Sequence, residues 1–303
     1  MKGGTSLLCM TKVISLRDVI LMKPSIVWQT DFSLDWSAVA QMRGVVKCVD
    51  PTLEVYDITH TITQFDPIAA SIELSQVERY WPKGTIFVSV VDPGVGTKRR
   101  PCVAKLKDGN YVVTPDNGTL THMFYKVGIE EIRVIDQKHR LPGASTVAVF
   151  DGRDLFSYVA ALLASGKLTY EEVGESYPVD EVIRQEAESF RASITADNLS
   201  GFITGAGGTF GGISTNIQHE DFAAVGNVRG SWYHVLITHN EDVIFDQDVY
   251  YGVSFGDVPV GDPIIYNGSS GYINIDRNCR RFVENWPCGT GPDWKVVFTK
   301  VEK

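Results

Sequence analysis

The chain has 303 residues, more than one average domain and suited to two, and its 44% hydrophobic and 21% charged residues match a protein with a sizeable core. A formal net charge of −9 argues against a nucleic-acid partner, which needs a basic stripe to displace counterions from phosphates. No apolar run reaches the roughly 18–20 residues of a membrane helix, and the five scattered cysteines (Cys9, Cys48, Cys102, Cys279, Cys288) show no C-x-x-C spacing. They predict neither a disulfide framework nor a zinc site, and the expected compartment is the reducing cytoplasm. Residues 1–24 read as an N-terminal extension, with the folded domain beginning at Pro24 and Met10 or Met22 as alternative starts. Lys12, Arg17 and Asp18 break the long apolar core that a signal peptide requires.

From Ser25 the chain alternates strand and helix. Ser25–Thr30 is a β-rich run ending at Asp31, Trp36–Val46 has apolar residues at helical spacing, and Leu53–Ile58 is the next strand. Phe65–Arg79 carries a second helical stripe, Thr85–Val91 is an apolar strand, and 111–114 and 132–135 continue the series. Leu155–Ala164 is an amphipathic helix closed by Ser165-Gly166. This alternation predicts an α/β domain over 25–175 with a mostly parallel sheet and functional groups at strand ends. A polar linker follows over 176–190. Residues 191–303 then hold β-rich segments at 226–238, 243–246, 263–266, 272–275 and 295–301, separated by turn signals. They predict a smaller antiparallel β-barrel domain.

Several strand tips carry polar residues. Asp31 is placed to grip a ribose hydroxyl in the crevice of an α/β sheet, or equally to cap the next helix. In Val90–Arg100 an apolar strand delivers Asp92 to its tip, a Pro-Gly-x-Gly turn follows, and Arg99 lies on the return. Such a pair can polarise a water between carboxylate and guanidinium, or simply tie down the turn. The Lys-Ser/Thr ending of a phosphate loop is absent. Asp116 and Asn117 are open to ligand contact or to turn formation. In Phe150–Asp154, Asp154 reads as a helix N-cap, Arg153 as a surface or ion-paired side chain, and Asp151 as the candidate for chemistry. The glycine-dense run 205–212 is either a backbone approach to a ligand or a flexible loop, and Phe255 is a loop aromatic suited to stacking on a base or to covering a core edge. The six histidines show no metal-like or triad-like spacing, and the hydrolase elbow, the zinc-protease helix motif and the dinucleotide fingerprint are all missing.

The order of these motifs carries more than any one of them. Thr30-Asp31-Phe32 comes first, then Asp92–Thr97 with Arg99, Pro115–Gly118 and Phe150-x-Gly152-Arg153-Asp154. Thr215-Asn216-Ile217, Phe255–Pro259 and Ser269-x-Gly271-Tyr272 with Asn278 complete the series. Over about residues 25–300 it resembles the S-adenosyl-L-methionine hydroxide adenosyltransferases, relatives of the bacterial fluorinase and chlorinase. The resemblance implies an α/β domain followed by a β-barrel, and a homotrimer with each active site between one subunit's first domain and a neighbour's second. It implies in-line attack of a water-derived nucleophile on the 5′ carbon of S-adenosyl-L-methionine, releasing methionine and adenosine. That sulfonium compound is the substrate, and no separate cofactor or metal is expected.

By position, the resemblance places Asp31 on the ribose hydroxyls, Phe65 against the ribose, Phe255 on adenine and Asn278 at the adenine edge. Ser269 and Tyr272 lie where the methionine end is held, and Asn117, Phe150 and Phe210 fall among the substrate-binding residues. Asp92 and Arg99 match two members of an Asp–Arg–His water-activating triad. Two departures stand out. Asp151 occupies the place of the histidine, which predicts a carboxylate pair sharing Arg99 and titrating as one unit. Gly208–Gly212 replaces an Asp-x-Phe-Gly-Asn pattern, so the carboxylate for the methionine amine and the amide for adenine are both absent. An adenosine-forming hydrolase is the leading expectation; a variant enzyme for another nucleoside or sulfonium, or a non-catalytic binding protein, are the alternatives. A carboxylate at Asp92 would repel a halide, which argues against halogen transfer.

Overall fold

The computed structural model describes residues 23–144, 149–195, 198–226 and 228–301. Of the expected extension over 1–24, residues 1–22, with the alternative starts Met10 and Met22, lie outside them. The first half builds a six-stranded sheet from β1 (Ile26–Thr30), β2 (Val55–Thr59), β3 (Ile86–Val90), β4 (Pro101–Leu106), β5 (Tyr111–Pro115) and β6 (Ile129–Val134), in the order β2-β1-β3-β5-β4-β6. The first four strands in that order run parallel, whereas β4 is antiparallel to both β5 and β6. All residues of β1 and β3 are buried, as expected of central strands covered on both faces. Helices α1 (Ala38–Val49) and α4 (Tyr158–Ala164) pack on one face, α2 (Pro67–Val77) and α3 (Thr121–Lys126) on the other.

Several expected boundaries shift. The first helix begins at Ala38, not Trp36, and runs on to Val49. The expected 155–164 helix opens one turn earlier as a π-helical stretch, Gly152–Ser157, in which Ser157 Oγ donates to the Gly152 carbonyl at 2.7 Å. Strand β4 was not legible in the sequence. The 176–190 segment is strapped to the α/β domain: Tyr177 Oη donates to Asp116 Oδ2 at 3.0 Å, the Ile183 amide to Asp116 Oδ1 at 2.8 Å, and Val182 is buried. Asp116 therefore anchors this segment instead of facing a ligand.

The second half closes into a barrel. Its strands are β8 (Asn198–Gly207), β9 (Gly212–Gln218), β10 (Trp232–His239), β11 (Asp242–Tyr251), β12 (Pro263–Asn267), β13 (Tyr272–Arg277) and β14 (Gly291–Val301). The ring runs β10-β11-β12-β13-β9-β8-β14 and returns to β10, with the short β7 (Ser193–Ile194) added to β8. The barrel is mostly antiparallel, as expected, with one parallel seam between β11 and β12. The glycine-dense run 205–212 is a β-hairpin between β8 and β9, not a flexible loop; Gly207, Gly208 and Gly211 supply the positive φ values of its turn. Inward side chains such as Phe222, Tyr233, Phe245 and Phe298 fill the barrel. Among the described residues no helix is long and apolar enough to cross a membrane.

One buried acid links the fold to pH. Glu78, 3% exposed at the end of α2, accepts a hydrogen bond from Asn110 Nδ2 at 2.6 Å. Burial, and Asp108 beside it, push its carboxyl up to about 7 from 4.5. Between those values the folded state holds a proton that the unfolded chain has released, so stability falls as pH rises through this window. Glu78→Gln is expected to raise the melting temperature above that of the unsubstituted protein at pH 8 and to change it little at pH 5, as thermal unfolding at the two pH values would register.

Candidate active site

Strands β1 and β3 are parallel neighbours with Thr30 opposite Val90, so the chain leaves both carboxyl ends side by side. Asp31 follows the first strand and Asp92 the second, at the sheet edge where α/β folds bind ligands. Asp31 does not cap a helix, because the helix after it starts only at Ala38. Its Oδ2 accepts the Phe65 amide at 3.0 Å instead, which holds Phe65 at a φ of +64° with its side chain 70% exposed. A non-glycine residue in that region is strained, and such strain is maintained where the surroundings over-determine it.

Asp92 and Arg99 form a forked ion pair. Arg99 Nε lies 3.0 Å from each Asp92 carboxylate oxygen, and Nη2 lies 2.5 Å from Oδ2. The tight turn between them depends on Gly94, where a Cβ would sit 3.1 Å from Arg99 Cγ. Asp151, at the start of the π-helical stretch, accepts a hydrogen bond from the same Arg99 Nη2 on its Oδ2. Its other oxygen accepts Arg140 Nη2 at 2.6 Å. The expected pair of carboxylates does share this guanidinium, and Arg140 brings a second cation, so the four side chains balance in charge. The carboxylates are 6% and 3% exposed, and Arg99 is 9% exposed. Burial disfavours the Arg99 charge, but Asp92 and Asp151 outweigh it and hold the guanidinium above its ordinary range. Asp154 is corrected: it is buried within the π-helical stretch and paired with Arg153 at 2.6 Å, so it does not cap the helix. Arg153 is accordingly ion-paired.

Two clefts open over this centre, of about 320 Å³ and 200 Å³. Asp92, Phe32 and Trp36 line both; Phe150 and Asp151 line the larger, Asp31 and Phe65 the smaller. Phe32, Trp36 and Phe150 form an aromatic trio with ring centroids 5.7–6.3 Å apart. Gly152 admits it, since a Cβ there would meet the Phe32 ring at 3.1 Å. Asn117 stands apart from the lining. Its Nδ2 donates to the Val91 carbonyl at 2.9 Å and its Oδ1 accepts Thr119 Oγ1 at 2.9 Å, a turn-forming role.

A third cavity, about 770 Å³, lies on the barrel and is lined by Phe210, Phe255, Ser269 and Asn278, among others. A capping box at Ser254 and Asp257 fixes the short turn that carries Phe255, whose ring packs 5.0 Å from Tyr266. Asn278 Nδ2 donates to the Val258 carbonyl at 2.8 Å, and the next residue, Cys279, has a φ of +55°. Tyr272 is not part of this cavity. It lines a separate 270 Å³ cleft between the α/β domain and the barrel, with Lys126 Nζ 4.7 Å from its ring centroid. The barrel cavity shares no lining residue with the clefts at Asp92.

Sequence reasoning therefore finds Asp31, Phe65, Asp92, Arg99, Phe150 and Asp151 at one place, and Phe210, Phe255, Ser269 and Asn278 at another. It misses Arg140 and Trp36. Trp36 falls in the predicted first turn of a helix, and an aromatic ring four residues from Phe32 was the available signal. Because Asp151 bridges two guanidiniums, Asp151→His is expected to lower both turnover and melting temperature. A rate gain measured on the purified variant would instead mark Asp151 as a degenerate remnant of the triad.

A family model described as SAM hydroxide adenosyltransferase N-terminal domain matches residues 26–174, and its C-terminal counterpart matches residues 209–295. An (R)-S-adenosyl-L-methionine hydrolase of Salinispora arenicola is 38% identical over 286 residues, 90% of this chain and 98% of its own. A fluorinase of Actinoplanes sp. is 26% identical over 278 residues, covering 84% and 91% of the two chains. The crystal structure of an uncharacterized conserved protein from Thermotoga maritima matches with a TM-score of 0.80 at 29% identity, over 90% of this chain and 99% of that one.

Proposed function

The chain belongs to the S-adenosyl-L-methionine hydroxide adenosyltransferase family, and from that premise we propose that it cleaves S-adenosyl-L-methionine to adenosine and methionine by attack of water on the 5′ carbon. The observation that carries this reading is the station of Asp92, its largely buried carboxylate paired with Arg99, bordering both clefts and level with Asp31. Asp31 binds the ribose hydroxyls beside Phe65. Asp92 orients a water and takes its proton as the C5′–O bond forms. The C5′–S bond breaks with its electron pair leaving on sulfur, so the cationic sulfonium becomes neutral methionine thioether. Since the leaving group is already activated, alignment and partial desolvation of the water are the main tasks of the protein. The aromatic trio offers π faces to the sulfonium. Arg99 and Arg140 keep the carboxylates in place without adding net charge near the cation.

The barrel cavity supplies Phe255 and Asn278 for the adenine and Ser269 for the methionine end. In this reading the two half-sites, which share no lining residue, are brought together from different subunits of a homotrimer. Sedimentation should return a trimer. Incubation with the substrate in chloride buffer should give equimolar adenosine and methionine by chromatography. A folded protein yielding no product, or one yielding a chlorinated nucleoside, would overturn the reading.

A further inference from the structure

The floor of the barrel cavity holds a polar chain that the family-like motifs do not include. On the antiparallel pair β12–β13, Tyr266 stands opposite Asn274, and Asp276 lies two residues further along the same face. Asn274 Nδ2 donates to Tyr266 Oη at 3.4 Å, and Tyr266 Oη donates to Asp276 Oδ2 at 3.4 Å. The Arg277 amide donates to Asp276 Oδ1 at 3.1 Å. Asp276 is 6% exposed, and Asn274 Oδ1 is buried without a partner. All three side chains line the cavity together with Phe255 and Asn278.

The neighbouring strand is shaped around this carboxylate. A Cβ on Gly212 would collide with the Asp276 carboxyl group, so a side chain at 212 and a carboxylate at 276 exclude one another. Gly268 makes similar room for Asn274, whose amide nitrogen would lie 2.8 Å from a Cβ there. Burying a carboxylate and leaving an amide oxygen unpaired both cost stability, and such groups persist where a ligand completes them. Two oxygen acceptors side by side, next to an aromatic ring, match a flat heterocycle bearing an amino group, which has two N–H donors.

We propose that Asp276 selects an amino-bearing purine: its carboxylate accepts a hydrogen bond from the exocyclic 6-amino group of adenine, Asn274 Oδ1 stands ready for the second N–H, and Phe255 covers the ring. This rests on the reading that an adenosyl group enters the barrel cavity. A 6-oxopurine presents a carbonyl where the amine should donate, and a site built to accept that hydrogen bond rejects it.

The test is calorimetric binding of adenosine and inosine to the full-length protein, which needs no turnover. Unsubstituted protein should bind adenosine at least about tenfold more tightly than inosine. Asp276→Ala should abolish that preference, and Asp276→Asn, whose amide carbonyl still accepts, should retain most of it. Equal binding of the two nucleosides by unsubstituted protein would overturn the proposal, as would an Asp276→Ala variant that keeps the preference. Protein that prefers adenosine yet releases no product from S-adenosyl-L-methionine would support the role of Asp276 while contradicting the hydrolase reading.

Discussion

Asp92→Ala is expected to lower kcat by about 10²–10⁴-fold, the range for loss of a positioned general base, with a smaller change in KM. The reason is geometric. Asp151 is held between two guanidiniums, Arg99 and Arg140, and borders only the larger cleft, whereas Asp92 pairs with Arg99 alone and borders both clefts. Asp151 is therefore poorly placed to replace it. Steady-state adenosine release, with circular dichroism to verify folding, would measure the effect. A variant retaining most of its turnover would mean that the water is aligned by other groups.

Arg99→Ala should abolish turnover and also destabilise the protein, by about 3–5 kcal/mol if the site behaves like other buried ion pairs broken from one side. It takes from Asp92 its forked guanidinium and leaves Asp151 with Arg140. Arg99→Lys is expected to recover little, because a single ammonium cannot reproduce the fork by which Nε and Nη2 span Asp92 while Nη2 also reaches Asp151. The double change Arg99→Ala with Asp92→Ala should be less destabilised than the sum of its parts, since the second substitution removes the stranded carboxylate and leaves the Asp151–Arg140 pair whole. Urea unfolding of the three variants would show this.

The strand-tip aspartates were legible because an apolar run ending in Asp is a local pattern, and Asp31 and Asp92 need only the parallel register of β1 and β3 to meet. Arg140 was not legible. It sits in a polar stretch after a short 3₁₀ turn and reaches Asp151 only through the fold. Strand β4 was hidden by its opening Pro101 and by Lys105, and β8 by glycines that suggest a loop although Gly201 and Gly205 lie within the strand. Asp276 was masked by the alternation Ile273-Asn274-Ile275-Asp276, which resembles a strand with one solvent-facing side. That side lines a cavity instead. Asn117 and Tyr272 mark the opposite case: each lies within a family-like motif, yet one shapes a turn and the other faces the cleft between the two domains.

The most direct test of water attack at the 5′ carbon is turnover of S-adenosyl-L-methionine in ¹⁸O-enriched water, with mass spectrometry of both products. Attack by water on the 5′ carbon places one heavy oxygen in adenosine and none in methionine. Unlabelled adenosine, or label confined to the amino-acid product, would contradict it.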